Sequence, residues 1–577
     1  MEPKTTDHTT GAAASRWDIR LHDSNSKPSI LEYITSTLSG ASAVPLKLHI
    51  PSKDEVDTAE EHGNFGPAQV SDLFLQIYWN ILKSPEYGAP AGQGPMVGVT
   101  GRIPLTIIST VPDIADHYYK LIVEAKSEVM IFSNFWKFSY AARRIGDALR
   151  VLSERLGLAE EPCVHVRIMF DRGSIKHLFY SRVTVTEAEW ITLGLPPTKE
   201  IPKIHLEVLN YHNFPLGTLH SKFMVVDKRI AVLNSCNIQD NSNLEMMCQF
   251  EGPIVDDIWD HAMSTWGQTV ELGLSSPTED ISPSTSPTVQ RSDEVDSLSA
   301  DDPPIRLTAN DVTEVLNRSV SNRILPDATD GDITERPFRS HIRLTTEDLP
   351  MALVPRAPYA WLGNNSLNTP QNVAWLSGIR FAKFKIFIQT PDLNASPVVT
   401  ALLDAVRRGV EVSIVLCLGY NDLGEMLPMQ GGHNESVVAG MKRELSEKER
   451  EMLKIYWYVG RDMTRPVHAS KHFRTCHIKL MIVDDRIGIM GSGNQDTQSW
   501  FHSQEINIMV DSEEVCRGWM KQLVGNQNSF VYGQGSEVDG VWRDLDGEQA
   551  PGSIGPETGV QAWVRGIGTF VLSKLWN

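Results

Sequence analysis

Apolar and polar positions change period along this chain, and the changes come twice in the same order. Residues 128–135 read as a strand. A helix follows, with Ser139 as its cap, Ile145, Ala148, Leu149, Leu152 and Leu156 as its apolar face, and Gly157 at its end. Residues 164–170 are the next strand, and a β-hairpin is expected at 219–237. The second series runs through a strand at 384–390 and a helix capped by Ser396, with Pro397 in its first turn. Val399, Leu402, Leu403 and Val406 form that helix's face, and Gly409 ends it. A strand at 410–418 and a hairpin at 476–494 complete it. Strand, helix, strand and hairpin in both halves predict a duplicated α/β fold. Helical spacing is also expected at 67–82 and 112–125, a loop at 88–101, and an insertion rich in aromatics and prolines at 174–217.

The two hairpins share more than a period. His220-Ser221-Lys222 is followed by Asp227 and then by Asn234-Ser235-Cys236-Asn237; His477-Ile478-Lys479 is followed by Asp484 and then by Gly491-Ser492-Gly493-Asn494. Both read H-x-K-x4-D-x6-[GN]-S-x-N. One copy would match many strands by chance, but two with the same downstream Ser and Asn would not. His and Lys two residues apart project from one strand face. If the loop is the pair Lys228-Arg229, then Lys222 faces Ser235 and His220 faces Asn237. The second copy gives Lys479 with Ser492 and His477 with Asn494.

Such a set suits a phosphodiester. Lys222 and Lys479 supply charge to phosphate oxygens, while Ser235, Asn237, Ser492 and Asn494 supply neutral donors. Two imidazoles serve the two sides of phosphorus, one attacking and one protonating the leaving oxygen. Asp227 and Asp484 belong to the motif but point away from this face, and are expected to support it.

The duplicated H-x-K-x4-D motif resembles the signature of the phospholipase D superfamily. The resemblance covers both repeats and their flanking strands. It implies two α/β/α sandwich domains, mixed sheets flanked by helices, related by a pseudo-two-fold axis with the active site between them. It also implies a phosphohistidine intermediate, no cofactor and no required metal. It further implies an acid at about this distance, so that Glu245 and Glu505, 25 and 28 residues after the motif histidines, would orient those histidines. The N-terminal motif would supply the nucleophile, His220. Asn234 departs from the family's usual glycine, which stands at Gly491.

Composition narrows the partner. The 577 residues carry a net charge of −19, which argues against a general nucleic-acid binder. A glycerophospholipid is the expected substrate, cleaved or exchanged at its head group. The alternatives are a nuclease or nucleic-acid end-processing phosphodiesterase of the same superfamily, and an inactive membrane or protein adaptor. Six cysteines show no metal-ligand spacing and are expected reduced, mostly buried. His165, His205, His212, His468, His472 and His502 are expected at the surface. No apolar run of 18 residues and no signal core stand out. A monomeric, intracellular chain with peripheral membrane contact is expected.

The organisation expected is a disordered tail at 1–28 and a first domain at 29–270 that includes the N-terminal helical segment. An acidic Ser/Pro-rich linker at 271–345, largely disordered, precedes a second domain at 346–577. A Met-containing loop at 424–432 and an amphipathic segment at 560–575 are candidates for packing or lipid contact.

Overall fold

The computed structural model describes residues 46, 48–84, 98–267, 340–344, 347–422, 430–471 and 474–556. The expected tail, the linker apart from residues 340–344, most of the Met-containing loop, His472 and the C-terminal amphipathic segment lie outside them.

The first half contributes β1 (Val99–Ser109), β2 (Glu128–Ser133), β3 (Val164–Phe170), β4 (Arg182–Thr184), β5 (Ile204–Tyr211), β6 (Phe223–Val226), β7 (Ile230–Asn234) and β8 (Glu245–Glu251). The second contributes β9 (His341–Arg343), β10 (Leu349–Leu353), β11 (Lys385–Gln389), β12 (Glu411–Leu416), β13 (Leu453–Trp457), β14 (Leu480–Val483), β15 (Ile487–Gly491) and β16 (Asn507–Asp511). Hydrogen bonding links them in the order β13-β12-β11-β14-β15-β16-β10-β1-β8-β7-β6-β2-β3-β5-β4, with β9 on β1. Read from the central β1–β10 pair outward, the halves repeat each other. β2, β3 and β5 are parallel, as are β11, β12 and β13. The catalytic-motif hairpins, β6–β7 and β14–β15, lie antiparallel beside β2 and β11. The fold is a duplicated mixed α/β arrangement, as the sequence pattern predicts.

Alternation on these strands is apolar on both faces, because both faces are buried. Val129, Ile131, Val166, Ile168, Met224 and Val226 pack outward under helices Val111–Val123 and Tyr140–Leu158. Their neighbours Met130, Phe132, Phe223 and Val225 face inward. There they join Phe387, Leu480, Ile482 and Ile508 of the second half in one shared core. Ile386, Ile388, Val412, Met481 and Val483 face the outer core of the second half. Two helices close the shared core. Helix Ile254–Trp266, from the first half, contributes Ile254 and Ile258; helix Glu513–Asn526, from the second, contributes Trp519 and Leu523. The second of these reaches across: Trp519 Nε1 donates to Thr106 Oγ1 (3.1 Å) and Asn526 Nδ2 to the Ile108 carbonyl (2.8 Å).

Several expectations shift at their edges. Helix Tyr140–Leu158 is capped by Ser139, which accepts from the Ala142 N–H, but it runs through Gly157. Helix Ser396–Arg407 begins at Ser396 itself, and its N-cap is Ala395. Strand β1 goes unseen in the sequence because Gly101 and Pro104 read as breakers. A register shift between Arg102 and Leu105 accommodates the proline. Strand β5 lies inside the expected insertion. Helix Asp72–Leu82, assigned in sequence to the first half, lays Phe74, Ile77 and Tyr78 into the outer core of the second.

Candidate active site

Each motif hairpin turns differently from the expected two-residue loop. Val226 pairs with Ile230 and Val483 with Ile487, so three residues make each turn. Asp227, Lys228, Asp484 and Asp485 all take positive φ, between 51° and 55°. This left-handed region tolerates Asp better than most residues. The register therefore slips by one: the Asn234 N–H donates to the Lys222 carbonyl and the Gly491 N–H to that of Lys479. A one-residue slip moves side chains to the other face. Ser235 and Ser492 thus leave the lysine's side, and their role changes with it.

The motif aspartates anchor the turn. Asp227 accepts from the backbone N–H groups of Lys126, Ser127 and Glu128 at the start of β2. Asp484 does the same for Lys383, Phe384 and Lys385 at the start of β11. Both sit at the end of the hairpin away from the histidine, so the structure gives them a strand-fastening role and no place among the reacting groups.

At the other end the chain crosses between halves. The His220 N–H donates to the Gln504 carbonyl (2.9 Å), and the His477 N–H donates to that of Leu244 (2.8 Å). Each motif strand, before it enters its own sheet, runs beside the acid-bearing strand of the other half. The side chains follow. His220 Nδ1 lies 2.7 Å from Glu505 Oε1, and His477 Nδ1 lies 3.1 Å from Glu245 Oε1. The orienting acid of each histidine thus comes from the opposite repeat. With Nδ1 engaged, each ring has Nε2 left for chemistry.

The serines complete these pairs. Ser235 Oγ donates to Glu245 Oε2 and Ser492 Oγ to Glu505 Oε2, both at 2.5 Å. Each also accepts an N–H, from Met246 and Ile506. The single donor of each hydroxyl is thus directed at a glutamate. The lysines are 1% exposed, and each Nζ donates to the carbonyl of its own motif histidine. Asn494 is turned as well: its Nδ2 donates to Asp496 Oδ2 (3.0 Å), so its amide hydrogens are engaged and its buried Oδ1 is without a partner. Asn237 Oδ1 is buried and unpartnered too.

Burial governs the electrostatics. It drives the Lys222 ammonium down to about 7, with the Lys479 charge adding to the effect, and Lys479 down to about 8. It also pushes the His477 imidazole down to about 4 against the pull of Glu245, and lowers His220 against Glu505. Burial alone would raise Glu245 and Glu505, but the adjoining histidine, lysine and serine outweigh it and hold both carboxylates below their usual range. Burial thus disfavours charge on both imidazoles, while both carboxylates are held in their ionised form.

Some contributors carry no motif. Tyr420 stacks on His477, ring centroids 5.5 Å apart. Asp171, just past β3, accepts from the Leu219 N–H beside His220 and pairs with His212. Only their strand-end positions distinguish them in sequence. His468 and His502, expected at the surface, are 3% and 6% exposed; His468 bridges Asp422 and Ser470. Five of the six cysteines are buried and all are free. Asn234 fits its strand by donating to Tyr118 Oη. At Gly491, by contrast, a Cβ would lie 2.2 Å from the Ile506 carbonyl oxygen.

Known proteins place this arrangement. Residues 376–524 match a family model described as a cardiolipin synthase, phospholipase D-like domain. A minor cardiolipin synthase, ClsB, of Bacillus subtilis (strain 168) is 26% identical over 140 residues, 24% of this chain; the chain spans 29% of that relative's length. Among solved structures, a phosphatidylserine synthase of Haemophilus influenzae Rd KW20 aligns over 87% of this chain and 98% of its own, with TM-score 0.48 and 13% identity. The phospholipase D family member Nuc of Salmonella typhimurium aligns over 29% of this chain and 89% of its own, with TM-score 0.21 and 17% identity. The resemblance to the phospholipase D superfamily, read from the duplicated motif, extends to the family model.

Proposed function

We propose that this chain is a phospholipase D-type phosphodiesterase or phosphatidyltransferase that cleaves or exchanges the head group of a glycerophospholipid. The observation that carries the reading is the crossed pair: two imidazoles, each held at Nδ1 by the other half's glutamate, with two buried lysines beside them. The family description of residues 376–524 and the cardiolipin synthase relative support a lipid substrate.

In this reading His220 Nε2 attacks phosphorus. A nitrogen–phosphorus bond forms, the bond to the head-group oxygen breaks, and His477 delivers a proton to that oxygen. His477 then takes a proton from the acceptor, water or an alcohol, whose oxygen displaces His220. Lys222 and Lys479 stabilise the equatorial oxygens, each worth ~10²–10³ in rate. The phosphate's negative charge favours the protonated forms of both lysines and of His477.

A head-group release screen over defined phospholipids, with single-stranded DNA as the control, tests the substrate class. Release from lipid and none from DNA is expected, and the reverse would move the chain to the nucleases. Phosphate trapping tests the chemistry. Label on His220 is expected in the wild type and in His477→Ala acting on a substrate whose leaving group needs no proton. Label on His477 in His220→Ala would reverse the assignment.

A further inference from the structure

Three chain segments meet at the rim of the paired histidines. Residues 213–217 lead directly into Leu219 and His220. Residues 357–364 leave from Arg356, which exchanges both backbone hydrogen bonds with Glu505. The Leu216 N–H donates to the Ala360 carbonyl and ties these two segments together. The third, 172–181, is tied on by the His212 N–H to the Ser181 carbonyl and by reciprocal bonds between Asn210 and the Arg172 backbone.

Their outward side chains are large and apolar. Ile175, Phe179 and Tyr180 are 81%, 79% and 69% exposed; Trp361 is 63% exposed, and Phe214 and Tyr359 nearly half. Scattered apolar residues on a surface are ordinary, but a cluster is not. Charge sets the same surface apart. Acids make up 72 of the 577 residues, yet 172–182, 212–220 and 356–368 contain no Asp or Glu and do contain Arg172, Lys176 and Arg182. Arg172 and Lys176 are exposed. Aromatic rings with cations beside them are the composition of a membrane–water interface, where rings sit at head-group depth and cations meet lipid phosphates.

We infer that this rim docks the protein onto the surface of an anionic phospholipid bilayer, presenting the paired histidines to the head-group layer. The inference rests on the phospholipid reading above for its motive. Its evidence, an apolar and acid-free surface on an acidic protein, is separate. Two forces add: ring burial, which grows with the area covered, and the attraction of each cation to the anionic surface.

The test is vesicle flotation of the full chain carrying His220→Ala, so that turnover plays no part. Vesicles are phosphatidylglycerol with phosphatidylcholine, or phosphatidylcholine alone. Binding to the anionic vesicles that weakens with salt is expected. Phe179→Ser with Trp361→Ser should weaken it at least about tenfold. Arg172→Glu with Lys176→Glu should remove its preference for anionic lipid. Melting temperatures unchanged from the parent serve as the folding control. Equal flotation of the parent and both double variants would overturn the inference. So would a parent that fails to float but self-associates through these residues, since the cover would then be a second copy. Head-group release in solution with no flotation would reject docking and leave the proposed reaction standing.

Discussion

At the residue scale the site is a set of buried charges balanced across two repeats. Glu505 serves His220 and Glu245 serves His477, so the two acids are separable by experiment. Glu505→Gln should lower phosphohistidine formation by ~10²–10⁴-fold, because the amide no longer holds the imidazole in its working tautomer. Glu245→Gln should instead act through the proton donor, with the larger loss on substrates whose leaving group needs a proton. Rapid-quench trapping of the labelled intermediate on each variant checks the crossing; the opposite pattern would mean that each acid serves its own repeat. Protonation offers a second readout. With Lys222 at about 7, Lys479 at about 8 and His477 at about 4, a bound oxyanion raises all three. Binding of a phosphate analogue such as tungstate near pH 7 should therefore take up protons. Calorimetry in buffers of different ionisation enthalpy measures this, and zero uptake would contradict the electrostatic picture.

At the element scale the hairpin and its aspartate form the unit. Asp227 and Asp484 fasten the turn to the start of the neighbouring parallel strand, and charge-assisted hydrogen bonds of this kind contribute about 1.5–3 kcal/mol each when well formed. Asp227→Ala should cost about 2 kcal/mol of stability in urea titration, given its partial exposure. The molecules that stay folded should keep their intermediate-forming ability. Abolished chemistry at full stability would return the aspartate to the reacting groups. The same fastening explains the register. An Asp-Lys or Asp-Asp pair in left-handed conformation makes a three-residue turn, and neither pair advertises that conformation as glycine or Asn-Gly would.

At the scale of the whole molecule the two repeats share a core and exchange functional groups. Burial of neutral histidines makes the assembly acid-sensitive. His261 and His477 are pushed down to about 4 by burial, well below the ordinary unfolded value near 6.5. Between those values the unfolded chain binds more protons, so stability rises with pH and is lost on acidification through that window. The loss is about 1.4 kcal/mol per pH unit for each such histidine. Melting temperature should fall steadily from pH 6.5 to pH 4.5; a flat profile would mean these imidazoles are charged in the folded state. The bond from Asn526 to the Ile108 carbonyl and the packing of helix Asp72–Leu82 on the far half argue that neither repeat can be excised without exposing the core of the other.

The duplicated order of elements, the paired hairpins, and the His and Lys at their ends are legible in the sequence, whereas the two glutamates entered only through the family resemblance. The former depend on local period and on spacing within one strand or helix, both of which are properties of consecutive residues. Tertiary structure alone decided the rest. Which glutamate meets which histidine depends on a strand leaving its own sheet to pair with the other repeat. Each motif serine donates to a glutamate and the Asn494 amide to Asp496, contacts made by strands that only the folded chain brings together. Tyr420 and Asp171 joined the site through strand ends brought together by the fold. Proximity between residues hundreds of positions apart, and the burial that sets their charge, arise only once both halves have packed.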